Sequence, residues 1–368
     1  MKRILILNGP NLNLLGSRNP EMYGSTPLSE LEEACRKWGV RLGVEVETFQ
    51  SNHEGDLIDR IHRARGDTDG LIINPGALTH YSYALHDAIE AVGLPTIEVH
   101  ISNIEEREEW RRLSVIRPAC VHTIYGRGTD GYRWAISHLV HRAAAPVETV
   151  SYGPEQDHVL DLRSGGDLVI LIHGGFWLHQ WTRDTLDGVA VDLGRRGFAT
   201  ANIEYRRSGK GGGWPQTLED TVAAINKTLE LTSPDGFAIL GHSAGAFLAV
   251  MAAGSSQLAK EPDLLVTIGG IFDIESAIRE GVGDGAVSEF IRATDPSTLS
   301  TLELDLTMPA LVVHGSEDER VPAEQSRRFA DAHGSRLEII EGGRHFTFLH
   351  PRHRDWVKVA ELLVSALS

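Results

Sequence analysis

At 368 residues the chain is longer than one hydrophobic core usually organises, so two domains are the starting expectation. Its 41% hydrophobic and 23% charged content is that of a globular protein, and no apolar run approaches the roughly 20 residues a membrane span needs. A formal net charge of -16 disfavours nucleic acid and anionic membranes as partners, and two cysteines without metal-ligand spacing, Cys35 and Cys120, fit buried thiols in a reducing, cytoplasmic setting.

The chain opens on two basic residues and a short apolar stretch, superficially a secretion signal. Asn8, Asn11 and Asn13 interrupt it and no small-residue cleavage site follows, so Ile4–Leu7 is expected to be a buried strand. Further apolar runs follow at Val44–Phe49, Gly70–Asn74, Thr96–His100 and Val121–Tyr125. The amphipathic segments Leu28–Leu42 and Leu57–Ala64 lie between them. Strands joined by helical crossovers predict a parallel sheet covered on both faces, with functional residues beyond its carboxyl ends.

A last helix near Gly131–Arg142 runs into Ala-Ala-Ala-Pro, placing a first domain at 1–143, a linker at 144–150 and a second domain at 151–368. The charge is divided unevenly: residues 1–145 hold 16 Lys and Arg against 19 Asp and Glu, and the remainder holds 19 against 32. Strand patterns restart at Val147–Val150, Val159–Leu162, Leu168–Ile172 and Phe198–Ile203. They continue at Gly236–Leu240, Leu264–Ile268, Ala310–His314 and Arg336–Ile340, predicting a second, larger α/β sheet. Gly209–Gly213 lacks the Lys-Ser/Thr that would complete a phosphate loop.

Polar groups gather at the ends of the first sheet's strands. Asn11 and Asn13 offer amides, Arg18 a guanidinium, and Tyr23 a proton acceptor that a neighbouring cation would favour as phenolate. Alone, this segment reads equally as a polar loop satisfied beside the sheet. Asn74 and His80 stand at a second strand end, and Glu98 and His100 share one face of a third, roughly 7 Å apart along the backbone. A carboxylate there would orient His100 as a general acid, and Ser102, Asn103 and Arg111 would hold a substrate carboxylate.

In the second half, Gly241–His242–Ser243–Ala244–Gly245 lies between a strand and an apolar helix, the context of a nucleophile elbow. Asp318 in HGSEDERVP and His345 in GGRHF follow late strands, giving the order Ser, Asp, His. Glu317, Glu319 and His350 are nearby competitors, while His242 and His314 are expected to be structural. Amides of Gly174 or Gly175 with Ala244 would form an oxyanion hole. Phe176 and Trp177, with Trp181 and Trp214, are candidates for an aromatic pocket, with core packing the alternative for the last two.

Residues 1–143 resemble type II 3-dehydroquinate dehydratases through ILNGPNLNLLGSRNPEMYG (6–24), FQSNHEGDLIDRIHRA (49–64), INPGALTH (73–80), IEVHISN (97–103) and GYRWAI (131–136). The resemblance implies a flavodoxin-like fold, no metal or cofactor, and a dodecamer built of trimers. It assigns Tyr23 as base with Arg18 beside it, Asn11 as positioner of a water at the enolate, and His100, oriented by Glu98, as acid. Asn74, His80, Ile101, Ser102 and Arg111 would bind substrate, with Asp87 acting across the trimer. Departures from the family pattern are Leu78 for Tyr, His86 for Arg, Glu105 for His and His122 for Gly; His86 and Glu105 are expected to reduce positive charge near the mouth and subunit contacts.

Residues 150–368 resemble α/β-hydrolases of the kynurenine formamidase and carboxylesterase group through SYGPEQDHVLDLR (151–163), HGGFW (173–177), IEYRR (203–207), Gln216–Asp220 and GHSAG (241–245). The family's YRL–P pattern becomes Tyr205–Arg206–Arg207–Ser208 here. Three functions fit the whole chain. One is a bifunctional dehydratase and ester or amide hydrolase, with an acylated quinate- or shikimate-type acid as the candidate hydrolase substrate. The second is a formamidase with an accessory dehydratase, and the third uses the first domain only to oligomerise. Small-molecule substrates and a homo-oligomer are expected, with no nucleic acid or membrane partner.

Overall fold

The computed structural model describes residues 1–367. The chain divides into two compact units, Met1–Ala144 and Ala145–Ser368.

The first unit is a five-stranded parallel sheet of β1 (Arg3–Asn8), β2 (Glu45–Gln50), β3 (Gly70–Asn74), β4 (Thr96–His100) and β5 (His122–Tyr125), in the order β2-β1-β3-β4-β5. This is the flavodoxin-like order, and winding reverses between β1 and β3, where a crevice opens outside the strands' carboxyl ends. Every residue of β3 and β4 is buried; β3 reads as a near-continuous apolar run, whereas β4, Thr-Ile-Glu-Val-His, buries Glu98 and His100 among its apolar residues. Asn8 and Asn74 are register partners at the reversal. Buried Tyr132, on the helix Asp130–Ala144, donates to Asn8 Oδ1 at 2.7 Å and accepts from Asn74 Nδ2 at 2.9 Å, locking the two strand ends together. The helix Tyr83–Val92 starts where the Ser82 hydroxyl accepts the Leu85 N–H and stops at Gly93 with φ 62°.

The second unit is an eight-stranded mixed sheet. Its strands are β6 (Glu148–Ser151), β7 (Val159–Arg163), β8 (Leu168–Ile172), β9 (Ala199–Ile203), β10 (Phe237–His242), β11 (Leu264–Ile268), β12 (Ala310–Gly315) and β13 (Arg336–Ile340). Their order is β13-β12-β11-β10-β8-β9-β7-β6, with β6–β7 and β7–β9 antiparallel and the other pairs parallel. β8 and β10 are wholly buried and adjacent, so the loops after them meet at the centre of the sheet's carboxyl edge. The core includes Phe247, Phe272, Phe290 and Phe329, with Trp177 stacked on Phe290 at 4.0 Å between ring centroids.

Each expected strand is present, with ends differing by at most two residues. The short helices Ile274–Arg279 and Ala286–Ile291 were not foreseen, because neither is long enough to show a full amphipathic period. Among the described residues no helix is long and apolar enough to cross a membrane.

Candidate active sites

The loops at the β1/β3 reversal enclose a cleft of about 110 Å³, lined among others by Asn11, Arg18, Tyr23, Asn74, His80 and His100, and also by Ile101, Ser102, Arg107 and Arg111. Asn11 sits at φ 67°, a left-handed conformation its short amide side chain tolerates, and its N–H donates to Asn52 Oδ1 at 2.8 Å. Arg18 Nη2 lies 3.5 Å from the Tyr23 hydroxyl, with its guanidinium carbon 4.8 Å from the ring centroid. Arg107, absent from the sequence expectations, approaches the same hydroxyl at 3.4 Å. That hydrogen bond is the main cause of a raised Arg107 pKa.

His100 Nε2 donates to Glu98 Oε1 at 2.7 Å, which leaves Nδ1 available to a ligand. Glu98 is fully buried and also accepts from Thr79 and, at 2.9 Å, from Ser114. Burial works to raise its pKa, but hydrogen bonds from His100, Thr79 and Ser114 outweigh it and hold the carboxyl below the usual range. A buried carboxylate whose ionised form is favoured thus orients the imidazole. His80 bonds the Leu113 carbonyl through Nδ1 at 2.7 Å, and Arg111 pairs with Glu108 at 3.0 Å.

Asp87 is not brought to the cleft within one chain. It lies exposed beside His86 and Glu90, whose potential ligand atoms fall with its own within 4.8 Å of one another. The departures from the family pattern sit outside the cleft lining. Leu78 is buried in the core, His86 bonds the Val115 carbonyl at 2.9 Å, Glu105 pairs with Arg117 at 3.4 Å, and His122 stacks on His138. His86 and Glu105 therefore stand outside the cleft, each engaged by a neighbour in its own chain.

The second unit holds a cleft of about 870 Å³ lined by Gly175, Phe176, Trp181, Ser243, Asp318 and His345, among others. Ser243 has φ 56° and ψ -122°, a strained conformation that presents its side chain between β10 and the helix Ala244–Ala253. The turn closes because a Cβ on Gly245 would lie 2.2 Å from the Ile172 carbonyl oxygen, and one on Gly241 would lie 2.4 Å from that of Gly245. A Cβ on Gly174 would lie 2.7 Å from Ser243 Cβ, so the glycine loop after β8 passes tightly against the elbow. Ala244 begins the helix there, next to Ser243.

His345 Nδ1 bonds Asp318 Oδ2 at 2.7 Å, and Asp318 Oδ1 accepts the N–H groups of Arg320 and Val321 at 2.8 and 2.9 Å. Burial tends to raise the Asp318 pKa; hydrogen bonds from His314 and His345 more than offset it and keep the carboxyl well below its ordinary value. Ser243 Oγ is buried without a hydrogen-bond partner, so the structure closes the Asp–His link and leaves the Ser–His link open. Glu319 lines the cleft and pairs with Arg344, whereas Glu317 and His350 do not line it. His242 and His314 are buried and hydrogen-bonded.

The aromatic expectation needs correction. Phe176 and Trp181 line the cleft, but Trp177 and Trp214 do not. Trp177 is fully buried between Phe290 and Phe247, and Trp214 packs on the same phenylalanines, so their rings serve the core. Phe346, after His345, supplies a third aromatic wall, stacked on Trp181 at 5.7 Å.

Residues 2–140 match the family described as dehydroquinase class II. A 3-dehydroquinate dehydratase of Caldicellulosiruptor saccharolyticus is 60% identical over 140 residues, 38% of this chain and 97% of that protein. The N-terminal domain belongs to the type II dehydroquinase family. A 3-dehydroquinate dehydratase of Bacillus pumilus is 51% identical over 145 residues, 39% of this chain and 99% of the relative.

Residues 162–277 match the family described as BD-FAE. An esterase/lipase structure from an uncultured bacterium superposes with TM-score 0.51 at 18% identity, over 63% of this chain and 91% of the other, a likeness of fold. The chain therefore joins a type II 3-dehydroquinate dehydratase domain, a lyase, to a domain with a BD-FAE match and an esterase-like fold.

Proposed function

We propose that the N-terminal domain converts 3-dehydroquinate to 3-dehydroshikimate and water, and that the C-terminal domain hydrolyses a small ester or amide through Ser243. The observation that carries the first half is the pairing of two guanidiniums with the Tyr23 hydroxyl while a buried carboxylate orients His100. Tyr23, with Arg18 and Arg107 at its hydroxyl, is the base that takes the proton from C2. Asn11 positions a water against the enolate oxygen. His100 then protonates the departing C1 hydroxyl, which leaves as water. Asn74, His80, Ile101, Ser102 and Arg111 hold the substrate's hydroxyls and carboxylate, and Asp87 orders the site of a neighbouring subunit.

In the hydrolase domain, His345 takes the Ser243 proton as Oγ attacks the acyl carbon, and Asp318 holds the imidazole in register. Amides of Gly174 or Gly175 and of Ala244 receive the negative charge of the tetrahedral intermediate. His345 returns the proton to the leaving group, and water then resolves the acyl-enzyme. The dehydratase domain would assemble as trimers within a dodecamer; Tyr81, Tyr83, Trp110 and Leu113, all more than half exposed, offer apolar surface for it.

The test is product analysis with two variants. Tyr23→Phe should abolish loss of 3-dehydroquinate and spare ester hydrolysis, while Ser243→Ala should do the reverse. Loss of both reactions from either substitution, with assembly intact by native mass spectrometry, would refute two independent sites. A fully active monomer would refute the dodecamer. N-formylkynurenine and acylated ring acids belong in the same assay, because HGGFW and the fusion respectively point to them.

A further inference from the structure

The two clefts are lined by opposite charge. That of the dehydratase domain carries Arg18, Arg107 and Arg111 and no carboxylate. That of the hydrolase domain carries Glu280, Asp284, Glu289 and Glu319 besides the His-bound Asp318, with Arg320 as its one Lys or Arg. Glu280 is balanced by Arg328 at 3.5 Å and Glu319 by Arg344 at 3.4 Å. Asp284 and Glu289 enter no ion pair among the described residues, and both are exposed at the cleft.

Asp284 is held there by packing. A Cβ on Gly283 would lie 2.6 Å from the Phe176 ring, so only glycine lets the Gly281–Gly285 loop close on that ring. Phe176, Trp181 and Phe346 form an aromatic wall in the same cleft. A guanidinium already approaches this wall, the Arg320 carbon lying 6.0 Å from the Phe346 centroid. Ser243, 1% exposed and with an unpartnered Oγ, lines the cleft too, so the acidic rim and aromatic wall border a poised polar atom rather than a bare surface.

Carboxylates beside aromatic faces are the chemistry that recognises an ammonium ion. We infer that the hydrolase domain takes a small ester or amide bearing an ammonium group and no carboxylate, its cation seated between the Phe176–Trp181–Phe346 wall and the Asp284 and Glu289 carboxylates. The inference rests on Ser243 being the nucleophile. It disfavours an acylated quinate- or shikimate-type acid, whose carboxylate would face Asp284 and Glu289 with only Arg320 in support.

The test uses the full chain and three p-nitrophenyl esters of similar length: butyrate, 4-(trimethylammonio)butyrate and the glutarate half-ester. Each kcat/KM is divided by that ester's alkaline hydrolysis rate. The cationic ester should exceed the neutral one by about tenfold at low salt, with the anionic ester lowest, and salt should shrink the spread. In Asp284→Asn/Glu289→Gln the cationic-to-neutral ratio should fall toward one. An anionic ester handled as well as the cationic one overturns the inference, as does a ratio that the double variant leaves intact. Labelling by an alkyl fluorophosphonate, located by mass spectrometry, separates the two levels. Label on Ser243 without cation preference sinks only the substrate class, whereas no label on Ser243 sinks the hydrolase reading as well.

Discussion

His173 and Glu204 meet at 2.7 Å with both side chains out of solvent, immediately before the Gly174–Gly175 pair. The other ring nitrogen of His173 bonds the Gly174 carbonyl at 2.8 Å, and the stacked ring of Tyr205 sends its hydroxyl to the His173 carbonyl at 2.6 Å. Glu204 also receives the Arg207 guanidinium and the Arg183 N–H. Burial opposes its ionisation, but Arg207 and His173 prevail and keep the carboxyl far below its ordinary range. The loop expected to supply the oxyanion amides is therefore braced from beneath by a buried charge network.

Glu204→Gln removes one of the two carboxylates that face buried Arg207, leaving Asp157 at 3.0 Å, so the loss should stay below the roughly 3–5 kcal/mol of a buried charge left with no partner. The urea midpoint of esterase activity should fall, while that of dehydratase activity holds. An unchanged esterase midpoint would show that the network does not support the loop.

Arg107 provides a second prediction, because its bond to the Tyr23 hydroxyl joins residues 84 apart in sequence. Charge-assisted hydrogen bonds contribute about 1.5–3 kcal/mol, so Arg107→Ala should lower dehydratase kcat/KM about ten- to hundredfold. Lysine at this position should recover part of the loss by restoring the charge. Steady-state kinetics on 3-dehydroquinate decide, and an Ala variant at full activity would remove Arg107 from the site.

What was legible in the sequence follows from how locally each feature is determined. The elbow was legible because Gly241 and Gly245 are forced by contacts of the turn itself with its neighbouring strand. Strands β3, β8 and β10 were legible because burial on both faces leaves near-continuous apolar runs. Arg107 was hidden in Asn-Ile-Glu-Glu-Arg-Glu-Glu-Trp-Arg-Arg, where alternating charge reads as a solvated face. Asp284 and Glu289 were equally silent, since their position depends on Gly283 packing against a ring more than 100 residues earlier. Trp177 sits in the HGGFW motif yet faces Phe290, a choice of side that no local pattern encodes.

His242, the residue before Ser243, gives its domain a pH dependence. His242 is buried and bonds the His345 carbonyl at 3.1 Å; burial, with the nearby His345, pushes its pKa down to about 3. The unfolded chain binds this proton near the ordinary value of about 6.5, whereas the folded chain does not until pH falls to about 3. The stability it contributes is thus complete above about pH 6.5 and is lost as pH falls toward 3, on the order of 5 kcal/mol in all. Urea midpoints of the hydrolase domain at pH 7, 5 and 4 should decline in step, and His242→Asn should flatten that decline. An equally steep decline in the variant would assign the dependence to other groups.

Two glycine-to-alanine substitutions should act in opposite directions. At Gly245 the new methyl would meet two backbone oxygens, those of Ile172 at 2.2 Å and His173 at 2.4 Å, and neither can retreat without displacing the end of β8. That strand end carries the glycine loop, so Gly245→Ala should abolish Ser243-dependent ester hydrolysis even where the protein remains soluble. Gly194 lies within the helix Asp187–Arg195, and a Cβ there meets nothing within 4 Å. Alanine at that position restricts the unfolded chain and favours the helix, so Gly194→Ala should raise stability by about 0.5–1 kcal/mol with ester hydrolysis retained. Activity and urea midpoints of the two variants, measured side by side, check both signs. Retained hydrolysis in Gly245→Ala would mean that the elbow can open without cost, against the close approach that its geometry requires.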